Sequence, residues 1–290
     1  MEYLFHVVVI ISIYAVLASS LDLIAGHAGL VSVSHAAFYG LGAYMAALVT
    51  VYFRAHFLLG MLAGITVVVA ASLVVSLPSL RLRDDYFAIA TFAFQLILSN
   101  LLNDWVTVTR GALGISGIPR PVIFGWEPRS NLEFAALGLS LVAVAHVVVG
   151  RLTTSPFGRV LRAIREDEVF AQSLGKDTLR FKVTVFGIAA MLASCAGALY
   201  AHYMTYIDAT SFTLNESMLV LSMVIIGGAG SRWGPLFGAA VLVIIPEALR
   251  FVGFPGPLAA KLRQLSYGGL LVFMLMVRPR GLVGRYGFGR

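Results

Sequence analysis

Few side chains in this sequence place chemistry inside apolar stretches. Asp22 and Glu247 are the ionisable residues set deepest in such runs, one near the end of its run and the other beside Pro246. Snorkelling to an interface or a local hydrogen bond accounts for a carboxylate so placed. A carrier driven by protons or sodium needs carboxylates or broken helices arranged around its ion, and this scarcity argues against one. The six histidines are scattered, no H-E-x-x-H spacing occurs, and the single cysteine, Cys195, offers at most one ligand to a metal and no internal disulfide. No G-x-x-x-x-G-K-[ST] loop is present to cradle nucleotide phosphates. The residues form no catalytic constellation.

Two glycine-rich turns resemble each other. Gly26-His-Ala-Gly29 and Gly227-Gly-Ala-Gly230 each end an apolar run, and each precedes small residues at helical spacing, Gly40-x-Gly-Ala43 and Gly234-x-x-x-Gly238. Such spacings let helix backbones approach closely, which gives Gly26, Gly29, Gly40, Gly42, Gly227 and Gly230 a packing role. The alternative is that residues 26–35 interrupt a helix beside a polar pathway, presenting backbone groups with Ser32, Ser34 and His35. A single histidine among small residues is more often a buried hydrogen-bond partner. Tyr86 and Thr91 carry the same pair of readings, pathway contact or anchor at the membrane interface.

These residues must be held by membrane helices. Of 290 residues 59% are hydrophobic and 12% charged, with a mean hydropathy of +0.89, whereas soluble domains carry roughly 25% charged residues. Only helices or closed barrels satisfy the backbone in hydrocarbon, and the apolar runs lack barrel-like alternation. The expectation is therefore an all-α, polytopic transmembrane helical bundle forming one domain over residues 1–290. About nine spans are predicted, near 4–24, 31–52, 57–77, 86–104, 132–150, 182–203, 215–229, 235–251 and 264–278. The first follows Met1-Glu2-Tyr3 without a basic start, so it reads as a retained span rather than a signal peptide.

Basic residues set the orientation. With Arg278, Arg280, Arg285 and Arg290 in the cytoplasm, Arg81, Arg83, Arg232, Arg151, Arg159, Arg162, Arg165, Lys176, Arg180 and Lys182 fall there too. Arg54, Arg110, Arg120, Arg129, Arg250, Lys261 and Arg263 fall outside, so the larger share favours an external N-terminus and a cytoplasmic C-terminus. The net charge of +7 then reflects topology and anionic lipid, not nucleic acid.

The charged segment 151–182 reads as a cytoplasmic amphipathic helix. Ser155 can cap it, Pro156 suits its first position and Gly175 its stop, while Phe157, Val160, Leu161, Ile164, Ala171 and Leu174 recur at three- and four-residue spacing. It can lie on lipid, pack on the chain's own loops, or dock into a partner. The external stretch 105–133, broken by Gly111, Gly114, Gly117, Pro119, Pro121, Gly125 and Pro128, reads as a structured loop of functional length.

Five segments in order resemble the permease subunits of branched-chain amino acid ABC transporters, most of all the M-type subunit. They are the Gly-rich opening at 20–44 (…Gly-His-Ala-Gly-Leu-Val-Ser-Val-Ser-His…), Leu-Arg-Leu-Arg-Asp-Asp-Tyr-Phe-Ala-Ile-Ala-Thr at 80–91, Gly-Ile-Ser-Gly-Ile-Pro at 114–119, Gly-Arg-Val-Leu-Arg-Ala-Ile-Arg-Glu-Asp-Glu at 158–168, and Gly-Gly-Ala-Gly-Ser-Arg-Trp-Gly-Pro-Leu-Phe-Gly-Ala at 227–239. The resemblance implies a multi-pass protein of the bacterial inner membrane that pairs with a related second permease. Two cytoplasmic ABC ATPases, which bind ATP and Mg, would drive it, and an extracytoplasmic substrate-binding protein would deliver branched-chain or similar small hydrophobic amino acids. This chain itself would hold no cofactor and catalyse no reaction. The resemblance also makes 157–174 the helix that couples to an ATPase, with Phe157, Arg159, Leu161, Arg162, Ile164, Arg165, Glu166 and Asp167 on it. A urea or short-amide importer permease, or an ion-coupled secondary carrier, are the alternative functions, and the loop 105–133 is expected to receive the binding protein.

Overall fold

A computed structural model of the chain describes residues 2–80, 84–123, 125–251 and, beyond them, 265, 268–270, 272–274, 276–278 and 281–283. Its regular structure is almost wholly helical. In chain order the helices are α1 (Glu2–Asp22), which continues as a π-helical turn (Leu23–His27), α2 (His35–Tyr52), α3 (Phe57–Ser79), α4 (Asp84–Asp104), the short α5 (Val106–Thr109), α6 (Asn131–Thr154), α7 (Pro156–Glu166), α8 (Glu168–Ser173), α9 (Thr178–Met204), α10 (Leu214–Gly227) and α11 (Gly234–Phe251). Five helices are long and apolar enough to cross a membrane: Glu2–His27, Phe57–Ser79, Tyr86–Asp104, Asn131–Thr154 and Thr178–Met204. Leu214–Gly227 and Gly234–Glu247 are shorter apolar helices. The expected last span, 264–278, lies largely outside the described residues, as do Arg81, Arg83, Lys261, Arg263, Arg280, Arg285 and Arg290.

The interior is built on α1, α2 and α9. In their most apolar windows α1 with its π turn is 72% buried and α9 61%, against 28% for α3, α4 and α6, so these last three turn most of their surface outward. Helix–helix attraction in lipid rests on close packing rather than on escape from water. Gly42 supplies it for α2 and α9, since a Cβ there would stand 2.5 Å from the Cα of Ser194. Above that contact Tyr39, Tyr44, Tyr200 and Phe212 interlock with ring centroids 5.1–6.0 Å apart.

Local sequence explains the helix ends. Ser130 and Glu133 form a reciprocal capping box at the start of α6, each side chain accepting the other's backbone N–H at 3.3 Å. The run expected as a helix from 31 begins only at His35, because Gly29 takes a left-handed φ of +74° and residues 28–34 are not helical. The amphipathic segment is likewise corrected: it is two helices, not one. Asp167 is extended (φ −155°, ψ 105°), and its Oδ1 accepts the Phe170 N–H at 2.9 Å, capping α8 instead of continuing α7. The cap at Ser155, Pro156 in the first turn of α7 and the positive φ of Gly175 are as expected.

The loop after α4 is ordered. Strand β1 (Ile115–Ser116) pairs antiparallel with β2 (Tyr206–Ile207) just beyond α9, and Ile118 donates its N–H to the Thr205 carbonyl at 3.2 Å.

Candidate functional site

Helix α2 begins inside the bundle, so its first N–H groups need partners there. Ala36 donates to Ser217 Oγ at 2.9 Å and Ala37 to Gln95 Oε1 at 2.8 Å. Gln95 in turn accepts from Ser217 Oγ at 3.1 Å and donates through Nε2 to the Phe212 carbonyl at 2.9 Å. Of the pathway candidates, Ser32 and Ser34 share a hydrogen bond of 3.1 Å, Thr91 Oγ1 accepts the Val33 N–H at 3.2 Å, and His35 Nε2 lies 2.6 Å from Ser20 Oγ. Ser32, Ser34, His35 and Thr91 are all buried. They belong to one polar knot joining α1, α2, α4 and α10, whereas Tyr86 stands apart on the surface, 58% exposed.

Sequence reasoning missed Gln95 and Ser217, the residues that hold this knot. A glutamine and a serine inside apolar runs were signals that could have been read, since buried amides need several partners. Nearby, Tyr14 donates to Glu216 Oε1 at 2.5 Å, linking α1 to the start of α10.

The two glycine-rich turns meet at one end of the bundle. Asp22, placed on the last turn of α1, accepts the Gly230 N–H, a long-range bond where a local one was expected. A methyl group on Gly26 would overlap both the Asp22 carboxylate and the Gly230 backbone, so this contact requires glycine. Arg165 of α7 donates to the Gly26 carbonyl and lies against Gly29, so the charged helix is fastened to the first turn. Arg232, beyond the second turn, donates to the Gly150 carbonyl of α6 at 2.9 Å. Gly227 sits within α10–α11 packing, close to the Gly234 backbone, and Gly40 lies against the Phe212 ring.

Helix α7 turns its apolar stripe inward. Leu161 and Ile164 are 1% and 3% exposed, Phe157 stacks on Phe181 of α9, and Arg162 reaches the Thr153 carbonyl at 3.2 Å. Of the three dispositions open to this segment, α7 packs on the chain's own elements. Arg159, Glu166 and Asp167 are exposed. The free apolar surface belongs to α8 and its end, where Val169, Phe170 and Leu174 are exposed. Helix α8 is held to α9 by the Lys182 Nζ–Glu168 Oε2 ion pair at 2.6 Å and by Gln172 donating to Thr178 at 3.0 Å.

At the opposite end Leu113 is 80% exposed and Trp105, Val106 and Trp126 are also exposed, while Ile115 and Ile118 of the same loop are buried. Arg54 and Arg120 border a cavity of about 270 Å³ there, next to His202.

A family model described as the branched-chain amino acid transport system permease component matches residues 3–277. The high-affinity branched-chain amino acid transport system permease protein LivM of Salmonella typhimurium is 35% identical over 93% of this chain and 68% of that protein. LivM of Escherichia coli is 34% identical over the same shares. The high-affinity permease protein LivH of Salmonella typhimurium is 26% identical over 98% of this chain and 96% of that protein. No solved structure matches.

Proposed function

Because this chain belongs to the branched-chain amino acid transport permease family, we propose that it is the membrane-spanning subunit of an ATP-driven importer of branched-chain or similar small hydrophobic amino acids. The observation that carries this reading is similarity to LivM along nearly the whole chain, with no nucleotide-phosphate loop in the sequence. ATP and Mg are bound by two partner ATPases in the cytoplasm. Substrate crosses the inner membrane where this single permease domain meets a related second permease, which the resemblance to LivH supports.

The proposed topology has nine spans: the apolar helices α1, α2, α3, α4, α6, α9, α10 and α11, and one near 264–278. The end carrying α7, Arg162, Arg165 and Arg232 is cytoplasmic, and the end carrying β1, β2, Arg54 and Arg120 is external, in keeping with the positive-inside bias. On this reading the exposed edge of Arg159, Glu166, Val169, Phe170 and Leu174 seats in an ATPase groove, while Leu161 and Ile164 hold α7 to the membrane part. The loop 105–133 receives the binding protein. The knot at Ser32, Ser34, His35 and Thr91 fixes the start of α2 beside the route of the substrate.

Reconstitution decides the matter. Proteoliposomes containing both permeases, both ATPases and the binding protein are expected to take up labelled leucine only with ATP. Uptake of urea in place of leucine would reassign the substrate, and gradient-driven flux by this chain alone would reject the importer.

A further inference from the structure

At the end of the bundle that carries α7, a cavity of about 340 Å³ is walled by His27 from the π turn, Thr153 and Thr154 from α6, Arg162 from α7, and Ser231 and Arg232 from the second glycine turn. Arg162 uses a donor on the Thr153 carbonyl and Arg232 one on the Gly150 carbonyl. A guanidinium carries five, and no carboxylate lines the cavity among the described residues. Among the described residues, ion pairs at this end engage Lys182 with Glu168 and Arg180 with Asp177, and Asp22 is turned to the Gly230 N–H. Residues 252–290 contain no aspartate or glutamate to fill the gap.

Two positive charges facing one concavity, with no carboxylate among the described residues that line it, call for an anion. Further donors stand ready. Ser231 Oγ accepts the Gly234 N–H, which leaves its hydroxyl hydrogen to give. His27 is 5% exposed, and its ring Nδ1 has no hydrogen-bond partner among the described residues. Guanidinium forks match the paired oxygens of a phosphoryl group. At the rim Trp233, 56% exposed and packed on the ring of His146, is the kind of residue that sits at the level of lipid headgroups.

We propose that this cavity binds a phosphate-type anion, either the headgroup phosphate of an anionic phospholipid or free inorganic phosphate. Basic pockets between membrane helices hold anionic headgroups by this chemistry. The bound anion joins α6, α7 and both glycine turns through one shared charge. The proposal is independent of the substrate carried.

Native mass spectrometry of the full chain, delipidated and then offered phosphatidylglycerol, phosphatidylcholine or inorganic phosphate, tests it. One phosphatidylglycerol or one phosphate should be retained over phosphatidylcholine, and about tenfold more weakly by the Arg162→Gln, Arg232→Gln double variant. Because that variant also removes caps from α6, Thr154→Glu serves beside it: the position is exposed, and the added carboxylate should abolish retention without lowering the unfolding temperature. Retention of the lipid unaffected by phosphate identifies the headgroup, and displacement by millimolar phosphate shows that the free anion fills the same place. Failure of the wild-type chain to retain either anion, or retention unchanged in Thr154→Glu, overturns the proposal.

Discussion

The carboxylate of Asp22 accepts the backbone N–H of Gly230 at 2.7 Å, a bond between residues 208 positions apart in sequence that joins the two glycine turns. Asp22 is 2% exposed, so removing its side chain strands a buried donor. Asp22→Ala is expected to destabilise the protein by about 1–3 kcal/mol, and Asp22→Asn, which keeps an acceptor, to recover most of that. Thermal unfolding of the purified chain measures both, and equal midpoints for wild type and Asp22→Ala would show that the link carries no stability.

Close packing of α2 on α9 gives a paired prediction. Gly42→Ala forces a carbon against the Ser194 backbone and should cost about 1–3 kcal/mol. Gly187→Ala, on the same helix as Ser194, meets only Ser72 Oγ at 3.7 Å and should be tolerated. Expression and unfolding temperature of the two variants are expected to separate clearly.

Gln95 anchors the start of α2. Gln95→Leu removes one of two partners from the Ala37 N–H, which keeps the Ser34 carbonyl at 3.1 Å, and one of two from the Phe212 carbonyl, which keeps Ser99 Oγ at 3.1 Å, so a loss of about 0.5–1.5 kcal/mol for each bond removed is expected. Ser217→Ala leaves the buried Ala36 N–H without its acceptor and should cost about 1–3 kcal/mol. A Gln95→Leu protein as stable as wild type would mean that water or relaxation supplies the missing bonds.

Anchoring and docking separate on the α7–α8 unit. Leu161→Ala should lower stability by about 2–5 kcal/mol, since it empties a buried position. Phe170→Asp, at a position 59% exposed, should leave stability within about 0.5 kcal/mol yet sharply reduce ATP-driven uptake and ATPase binding. Full uptake by Phe170→Asp would remove α8 from the docking surface.

The external loop is tested best at its surface. Deleting 112–119 also removes β1 and the buried Ile115 and Ile118, so it should damage the fold itself. Leu113→Asp alters an 80% exposed side chain and is expected to weaken uptake delivered by the binding protein while leaving basal ATPase activity unchanged.

Much of the helical framework was legible because long apolar runs admit few structures in lipid, and the expected ends of α3, α4, α10 and α11 fall within two residues or so of those observed. The break at Asp167 was harder to read, since the apolar spacing from Phe157 to Leu174 continues across it. Its signal was a capping-type residue followed by Glu168 in a new first turn. The likeness of the two glycine turns was visible in sequence, but their contact was not, because it depends on a π turn that rotates Gly26 toward Gly230. Ser32, Ser34 and His35 were legible as polar residues set together, whereas Thr91 was read with Tyr86, which stands apart. Gln95 and Ser217, which hold the first N–H groups of α2, were not legible, since such bonds join helices distant in sequence.

The extended backbone at Asp167 has a mechanical consequence. A stiff lever would carry a tug on α8 along α7 to the first glycine turn, but a chain bent at that joint cannot. The Glu168–Lys182 clasp ties α8 to α9 instead, and α9 packs on α2 at Gly42. If α8 seats in an ATPase as proposed, anchorage and motion fall to different helices: α7 moors the assembly, and α9 is the one that gets pulled.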